Sequence, residues 1–240
     1  MKQNKESIID AACKNFKTIA SSKLTKFAKL PDWLENISYY FRKECENKLP
    51  KSYYHYKRGS VINVNFGVNL GSEFSFTHLA VVLNKQDNRF KNTLTVLPLT
   101  SKSGKDRLSL GKNIFNQTTV IIQNEQDEIE KELISIKKDM TSIKNKYEEV
   151  PDNKALLLEL QPLGDRLETL GLKLSMFQKV KQVYMSFNKE SYVRLTDITT
   201  ISKLRINRIN KYDPSGQIRL TQDQMKKIDI ELAKLFLDKL

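Results

Sequence analysis

The sequence predicts an α+β protein: a small, strongly bent sheet or barrel, with helices at both ends of the chain and a long antiparallel helical hairpin inserted in its middle. Three observations predict it. Short β-prone runs at 61–66, 79–83, 93–99 and 118–122, separated by Gly, Asn, Asp and Ser, are followed after a gap by two more at 192–198 and 204–209. The gap shows a seven-residue apolar repeat instead of alternation. The last segment opens with Thr221-Gln222-Asp223-Gln224, a capping-box pattern, and carries Met225, Ile228, Leu232 and Leu235 on one face, so it reads as a helix packed on the sheet.

In chain order, residues 1–50 read as helical, with Trp33, Leu34, Ile37, Tyr40 and Phe41 forming an apolar stripe after Pro31. They look like a separate N-terminal addition. Residues 51–124 and 188–240 make the sheet domain, and 125–187 the inserted hairpin. The first hairpin helix repeats Ile129, Leu133, Ile136, Met140, Ile143, Tyr147 and Val150 at alternating four- and three-residue spacing, a heptad seam. After the breaker Pro151-Asp152-Asn153 the pattern resumes through Leu156, Leu160, Leu163, Leu167, Leu170, Leu174 and Phe177. The stretch 125–150 makes an arm roughly 39 Å long at ~1.5 Å per residue. Pro162, Gly164 and Gly171 weaken the second helix. Two facing seams are expected to bury each other as an antiparallel coiled-coil hairpin, in preference to a dimerising coiled coil.

Composition narrows the function. The chain has 240 residues, 41 Lys+Arg against 28 Asp+Glu, and a formal net charge of +13, which points to a polyanionic partner. The charge is uneven: residues 125–187 hold 10 basic and 12 acidic side chains, leaving 31 basic and 16 acidic elsewhere. The basic function therefore lies outside the hairpin. No run of 18 apolar residues is present and MKQNKESIID lacks an apolar signal core, so no membrane span and a cytoplasmic location are expected. Cys13 and Cys45 have no metal-type spacing and fit a reducing compartment. With only His55 and His78 as histidines, a His-rich zinc site is not expected, and the chemistry reads as free of metal and cofactor.

The segment KRGSVINVNFGVNLGSEFSFTHLAVVLN, residues 57–84, resembles the opening of the PemK/MazF family of toxin endoribonucleases. NRFKNTLTVLPLTSK at 88–102 is similar to the family's next strand with its terminal Thr-Ser. ESYVRLTDITTISKLRINRI at 190–209 resembles the strand pair that ends in a family Arg. The resemblance implies an SH3-like barrel, a homodimer, an antitoxin protein as partner, and metal-independent cleavage of single-stranded RNA to a 2′,3′-cyclic phosphate and a 5′-hydroxyl. Residues 1–50 and the hairpin have no counterpart in the minimal family domain.

Cleavage of this kind needs a base for the ribose 2′-OH, a donor for phosphorane charge and an acid for the 5′-oxygen. The positions matching the family's strand-end Arg and Thr are His78 and Thr100. A histidine replaces a fixed guanidinium clamp with a group that can take or give a proton near neutral pH. Ser101 and Lys102 extend the phosphate site, and Ser72 and Glu73 stand upstream of His78 in a Gly-Ser turn. Glu73 could orient His78, act as the base, hydrogen-bond a base edge, or simply be a solvated loop carboxylate. Asp197 falls where the family contacts RNA, with plain surface the alternative. Arg205 matches a family Arg expected to hold the barrel or dimer together. Arg58 and Lys57, beside Tyr53, Tyr54 and Tyr56, suit stacking on unpaired bases, or else form a half-buried linker. His55 is a second proton-transfer candidate only if it folds back toward His78.

A second functional reading stays open. A member of this family that has lost catalysis would grip nucleic acid or a protein without turnover, and the Arg-to-His departure is what such a chain would show. The hairpin's acidic balance points to a protein-contact arm.

Overall fold

The structure, a computed structural model, describes residues 4–149, 153–185 and 189–237. Val150, the Pro151-Asp152 breaker and the 187/188 boundary lie outside them. The chain divides into two compact units.

The first unit comprises Met1–Ser109, Tyr192–Asn207 and Arg219–Leu240. It opens with helices α1 (Lys5–Ala20) and α2 (Leu30–Cys45). Pro31 sits in the first turn of α2, where its missing N–H costs nothing. Strands β1 (Val61–Asn65), β2 (Thr77–Val82) and β3 (Thr93–Thr100) fall on the first three β-prone runs. They are joined by β4 (Arg107–Gly111), β5 (Ser191–Arg194) and β6 (Thr199–Ser202). Helix α5 (Gln222–Phe236) starts at a full capping box, with the Thr221 hydroxyl accepting from Gln224 N and the Gln224 side chain accepting from Thr221 N.

The described strands form one six-stranded sheet in the order β1-β2-β3-β5-β4, with β6 also paired to β3. Ile62, Val64, Ala80, Val82, Leu94, Val96 and Ile201 project from one face of β1, β2, β3 and β6 into a shared core under Tyr56 and Phe66. Period-two alternation makes this core. A buried ion pair is the polar anchor at one end of the unit: Lys203 Nζ donates to both Asp87 carboxylate oxygens at 2.8 Å and to the Tyr54 and Asn88 carbonyls at 3.1 Å.

Three expectations are corrected here. The sheet is not closed into an SH3-like barrel. Among the described residues, β1 is joined on its other side only by the single bridges Val64↔Ile206 and Ser60↔Arg219, because the chain coils into a 3₁₀ turn at Lys203–Arg205 before it can pair. The strand expected at 204–209 is therefore replaced by β6, just upstream. The run 118–122 is helical: Thr118 and Thr119 hydroxyls donate to the carbonyls four residues back, and Ile114, Thr118 and Ile122 bury one helical stripe. Tertiary burial at spacing four outweighs the β-branched preference.

The second unit comprises Leu110–Ser191 and Arg208–Ile218. Helix α3 (Asn113–Glu149) has 37 residues and α4 (Asn153–Met185) has 33. They run antiparallel. Lys146–Glu159, Arg166–Asp139 (3.0 Å) and Lys173–Glu125 (3.9 Å) tie one flank. The seams bury only alternate members: Ile129, Ile136, Leu163, Leu170 and Phe177 are buried, while Leu133, Met140, Leu167 and Leu174 stay about 40% exposed. Each exposed member lies four residues after a buried one, so they line the flank opposite the ion pairs. At the hairpin base, Tyr184 donates to buried Asp213 at 2.7 Å, and Asp213 also accepts from Ile209 N and Ser215 N. Burial and the neighbouring carboxylate push the Tyr184 phenol far above its ordinary pKa.

Candidate active site

The β2–β3 ladder pairs Ala80↔Pro98, Val81↔Leu97 and Val82↔Val96. That ladder ends at Ala80↔Pro98, with His78 two residues before it on β2 and Thr100 two residues beyond it on β3. Both are half-buried. On its other side, β3 pairs Thr100 with Tyr192 of β5, so Arg194, two residues on, projects from that same face. The Arg194 guanidinium lies over the Phe74 ring at 5.0 Å, and the Phe74 ring centroid is 4.6 Å from that of His78. Asp197 holds Arg194 in an ion pair.

Among the described residues neither His78 nitrogen has a hydrogen-bond partner. Burial, reinforced by Arg194⁺, lowers the imidazole pKa below its ordinary value, so the ring is neutral at pH 7 and accepts a proton. Thr100 Oγ1 accepts from Lys102 N at 3.3 Å, which leaves its hydroxyl proton for a ligand.

Beside this cluster is a cavity of about 280 Å³ lined by Phe74, Asn69, Glu73, Asp197 and Arg205, among others. The β1–β2 loop that forms one wall is internally braced. Asn69 Nδ2 donates to the Phe66 and Phe74 carbonyls, and the Ser75 hydroxyl accepts from Asn69 N and donates to the Glu73 carbonyl. Phe76 at its end adopts φ 76°, a costly conformation for a bulky residue. The loop is also held from outside. Lys26 Nζ donates to the Gly71 carbonyl at 2.6 Å, and Trp33 sits on Gly67 (φ +86°), where a Cβ would stand 2.6 Å from the ring. Arg205 donates to the Phe66 carbonyl at 3.2 Å and lies over Trp33.

Residues 57–146 match the family model of PemK-like, MazF-like toxins of type II toxin-antitoxin systems. This PemK-like match covers less than half of the chain and ends inside α3, so β5, β6 and α5 lie beyond it. No curated protein matches the chain. His78, Thr100, Glu73, Ser72, Ser101, Lys102 and Arg58 fall within the PemK-like segment, and Asp197, Arg205 and Arg194 outside it.

The structure puts Asp197 and Arg205 on one cavity with Phe74, whose ring lies against His78, leaves Thr100 at the end of β3 paired with Tyr192, and adds Arg194, which sequence reasoning missed. Its only signal was position on a strand whose register was unknown. Glu73 is exposed on the loop, and the neighbour of His78 is Phe74, so the carboxylate is not the group that orients the ring. Ser72, Ser101 and Lys102 are exposed on the loops flanking β2 and β3. Arg58 goes elsewhere: its guanidinium is bound to the Leu83 carbonyl and the Asp229 carboxylate. His55 does not fold back toward His78; it stacks on Tyr54 at 5.8 Å. Among the described residues no group of three or more His, Cys, Asp or Glu is gathered as a metal site, and no helix is long and apolar enough to cross a membrane.

Proposed function

We propose that the chain is a toxin endoribonuclease that cleaves single-stranded RNA by 2′-OH attack on the adjacent phosphate. What supports this reading is the run of contacts from the half-buried, unpartnered His78 imidazole through the Phe74 ring to the Arg194 guanidinium, with the Thr100 hydroxyl at the end of β3 taken as its companion.

His78 takes the 2′-OH proton as the 2′-oxygen–phosphorus bond forms. Arg194, with Thr100 as donor, meets the charge that builds on the phosphoryl oxygens. The phosphorus–O5′ bond then breaks, the 5′-oxygen takes a proton from solvent, and the imidazolium returns its own to solvent. The products are a 2′,3′-cyclic phosphate and a 5′-hydroxyl, with no net proton consumed. Arg194 thereby supplies from β5 the fixed cation that the resemblance leads one to expect at position 78. The Glu73–Asp197 cavity accepts a base beside the scissile phosphate, with Glu73 as an acceptor for an exocyclic amine. A homodimer and an antitoxin protein as partner come with the family reading.

The test is incubation of the full chain with a long single-stranded RNA in EDTA, with fragment ends read by mass spectrometry. A discrete set of fragments ending in cyclic phosphate, abolished in the His78→Ala, Thr100→Ala double variant, is expected. Cleavage that persists in that variant refutes the site. Tight binding without cleavage returns the binding-protein reading.

A further inference from the structure

The first unit holds a second basic region. A cleft of about 660 Å³ is lined by His55, Lys57, Lys85, Lys91 and Arg219, together with Arg58. Its one lining carboxylate, Asp87, is already saturated: both oxygens accept from buried Lys203, and Oδ2 also accepts from Tyr56 N at 2.8 Å. Asp229 offsets Arg58. No carboxylate among the described residues offsets Lys57, Lys85 or Lys91: Lys57 and Lys85 have no side-chain partner, and Lys91 donates only to the Gln86 carbonyl at 3.2 Å. These cations are exposed on the segments leading into β1 and following β2.

Flat rings stand beside the cations. Tyr54, 50% exposed, is stacked on His55 with planes 17° apart and backed by Tyr56 at 4.8 Å. Phe90 is 70% exposed beneath the Arg89 guanidinium, on the segment whose Arg89 carbonyl accepts from Tyr53 N at 2.8 Å. The buried Lys203–Asp87 pair fixes both strips of backbone, through the Tyr54 and Asn88 carbonyls. Unmatched ammonium groups recognise phosphates; exposed, preset rings recognise the faces of unpaired bases. A duplex hides its base faces, and an acidic protein offers none.

We propose that this cleft is a second binding site for single-stranded polynucleotide, with Lys57, Lys85 and Lys91 on phosphates and Tyr54 as a base platform. Arg58 reaches the Leu83 carbonyl just past the end of β2, whereas His78 lies near its start; five residues of strand put the two sites ~17 Å apart. The cleft therefore grips a segment flanking the one at His78 and discriminates long strands from short ones. The substrate role rests on the cleavage reading, whereas the binding role does not.

The experiment uses the full chain with the three substitutions Lys57→Gln, Lys85→Gln and Lys91→Gln, and separately Tyr54→Ala. Binding of a fluorescent 20-nucleotide single-stranded RNA, its duplex and a polyglutamate peptide is measured against salt in a His78→Ala background. The triple variant should bind the single strand at least tenfold more weakly, with a log–log salt slope shallower by about 2, since each phosphate no longer neutralised takes away ~0.7. Tyr54→Ala should weaken the single strand several-fold and leave the duplex unchanged. With His78 restored, the triple variant should raise KM on the 20-mer and leave turnover of a four-nucleotide substrate as it was. Unchanged single-strand affinity in the triple variant, or an equal loss on polyglutamate, overturns the proposal. If no form cleaves RNA yet the triple variant still loses its affinity, the cleavage reading fails and the cleft stands.

Discussion

The two histidines mark two basic regions near opposite ends of β2, and they differ in how their charges are held. At His78 the cation is locked: Arg194 is paired with Asp197 and stacked on Phe74, and the imidazole is half-buried with its nitrogens unclaimed. At His55 the lysines are exposed and the ring lies flat on Tyr54. A preorganised cation beside a desolvated base serves a transition state, where charge appears at one fixed point. Exposed cations beside exposed rings serve a flexible chain of phosphates and bases. The difference teaches that net charge alone would have merged two regions with unlike chemical aptitudes.

The sharpest way to break the comparison is to exchange the histidines' fates. His78→Ala should lower kcat by about 10²–10⁴, the usual worth of a positioned base, with little change in KM. His55→Ala should leave kcat unchanged; equal kcat losses in a single-turnover assay would erase the distinction. Next in size, Arg194→Ala should cost about 10²–10³ in kcat as a lost charge donor, and Lys should restore only part of it. Lys203→Met leaves Asp87 buried and unpaired and should destabilise the first unit by about 3–5 kcal/mol, read as a shift in denaturation midpoint.

Acidity separates the regions more gently. The folded-state pKa of His78 is lowered first by burial and then by Arg194, so the acidic limb of kcat/KM should fall with a midpoint below 6.5. Arg194→Met should move that midpoint upward without reaching the ordinary value, because burial remains. The unfolded chain binds this proton more readily, so the His78 contribution to stability is full above about 6.5 and is lost as pH falls through the lowered pKa. The smallest effect is a control at neither site. Gly164→Ala and Gly171→Ala place Cβ atoms where nothing lies within 4 Å, and should each stabilise α4 by up to ~1 kcal/mol with kcat and KM unchanged.

Much of this was legible in the chain. The runs of β1, β2 and β3, the capping box at Thr221 and the paired long helices are local signals, written in alternation, cap chemistry and heptad spacing. What escaped depends on contacts between distant segments. Thr118–Ile122 carries strand-forming residues but buries a helical stripe, and β4 lacks the apolar run that would announce it. The choice of His78 and Thr100 as candidates followed from the family motifs, yet Arg194 required the β3–β5 register, which a single sequence does not encode in any short pattern. The hairpin seams were visible, but not that one flank would be sealed by ion pairs and the other left open.

Gly67 and Trp33 are joined by shape: the ring fills the space where any other residue would carry its first side-chain carbon. The opening helices and the loop bearing Glu73 and Phe74 can therefore diverge only in concert. A larger residue at 67 demands a smaller one at 33, and a chain trimmed to the shorter homologous segment would have to find a new brace for that loop before its chemistry could be inherited.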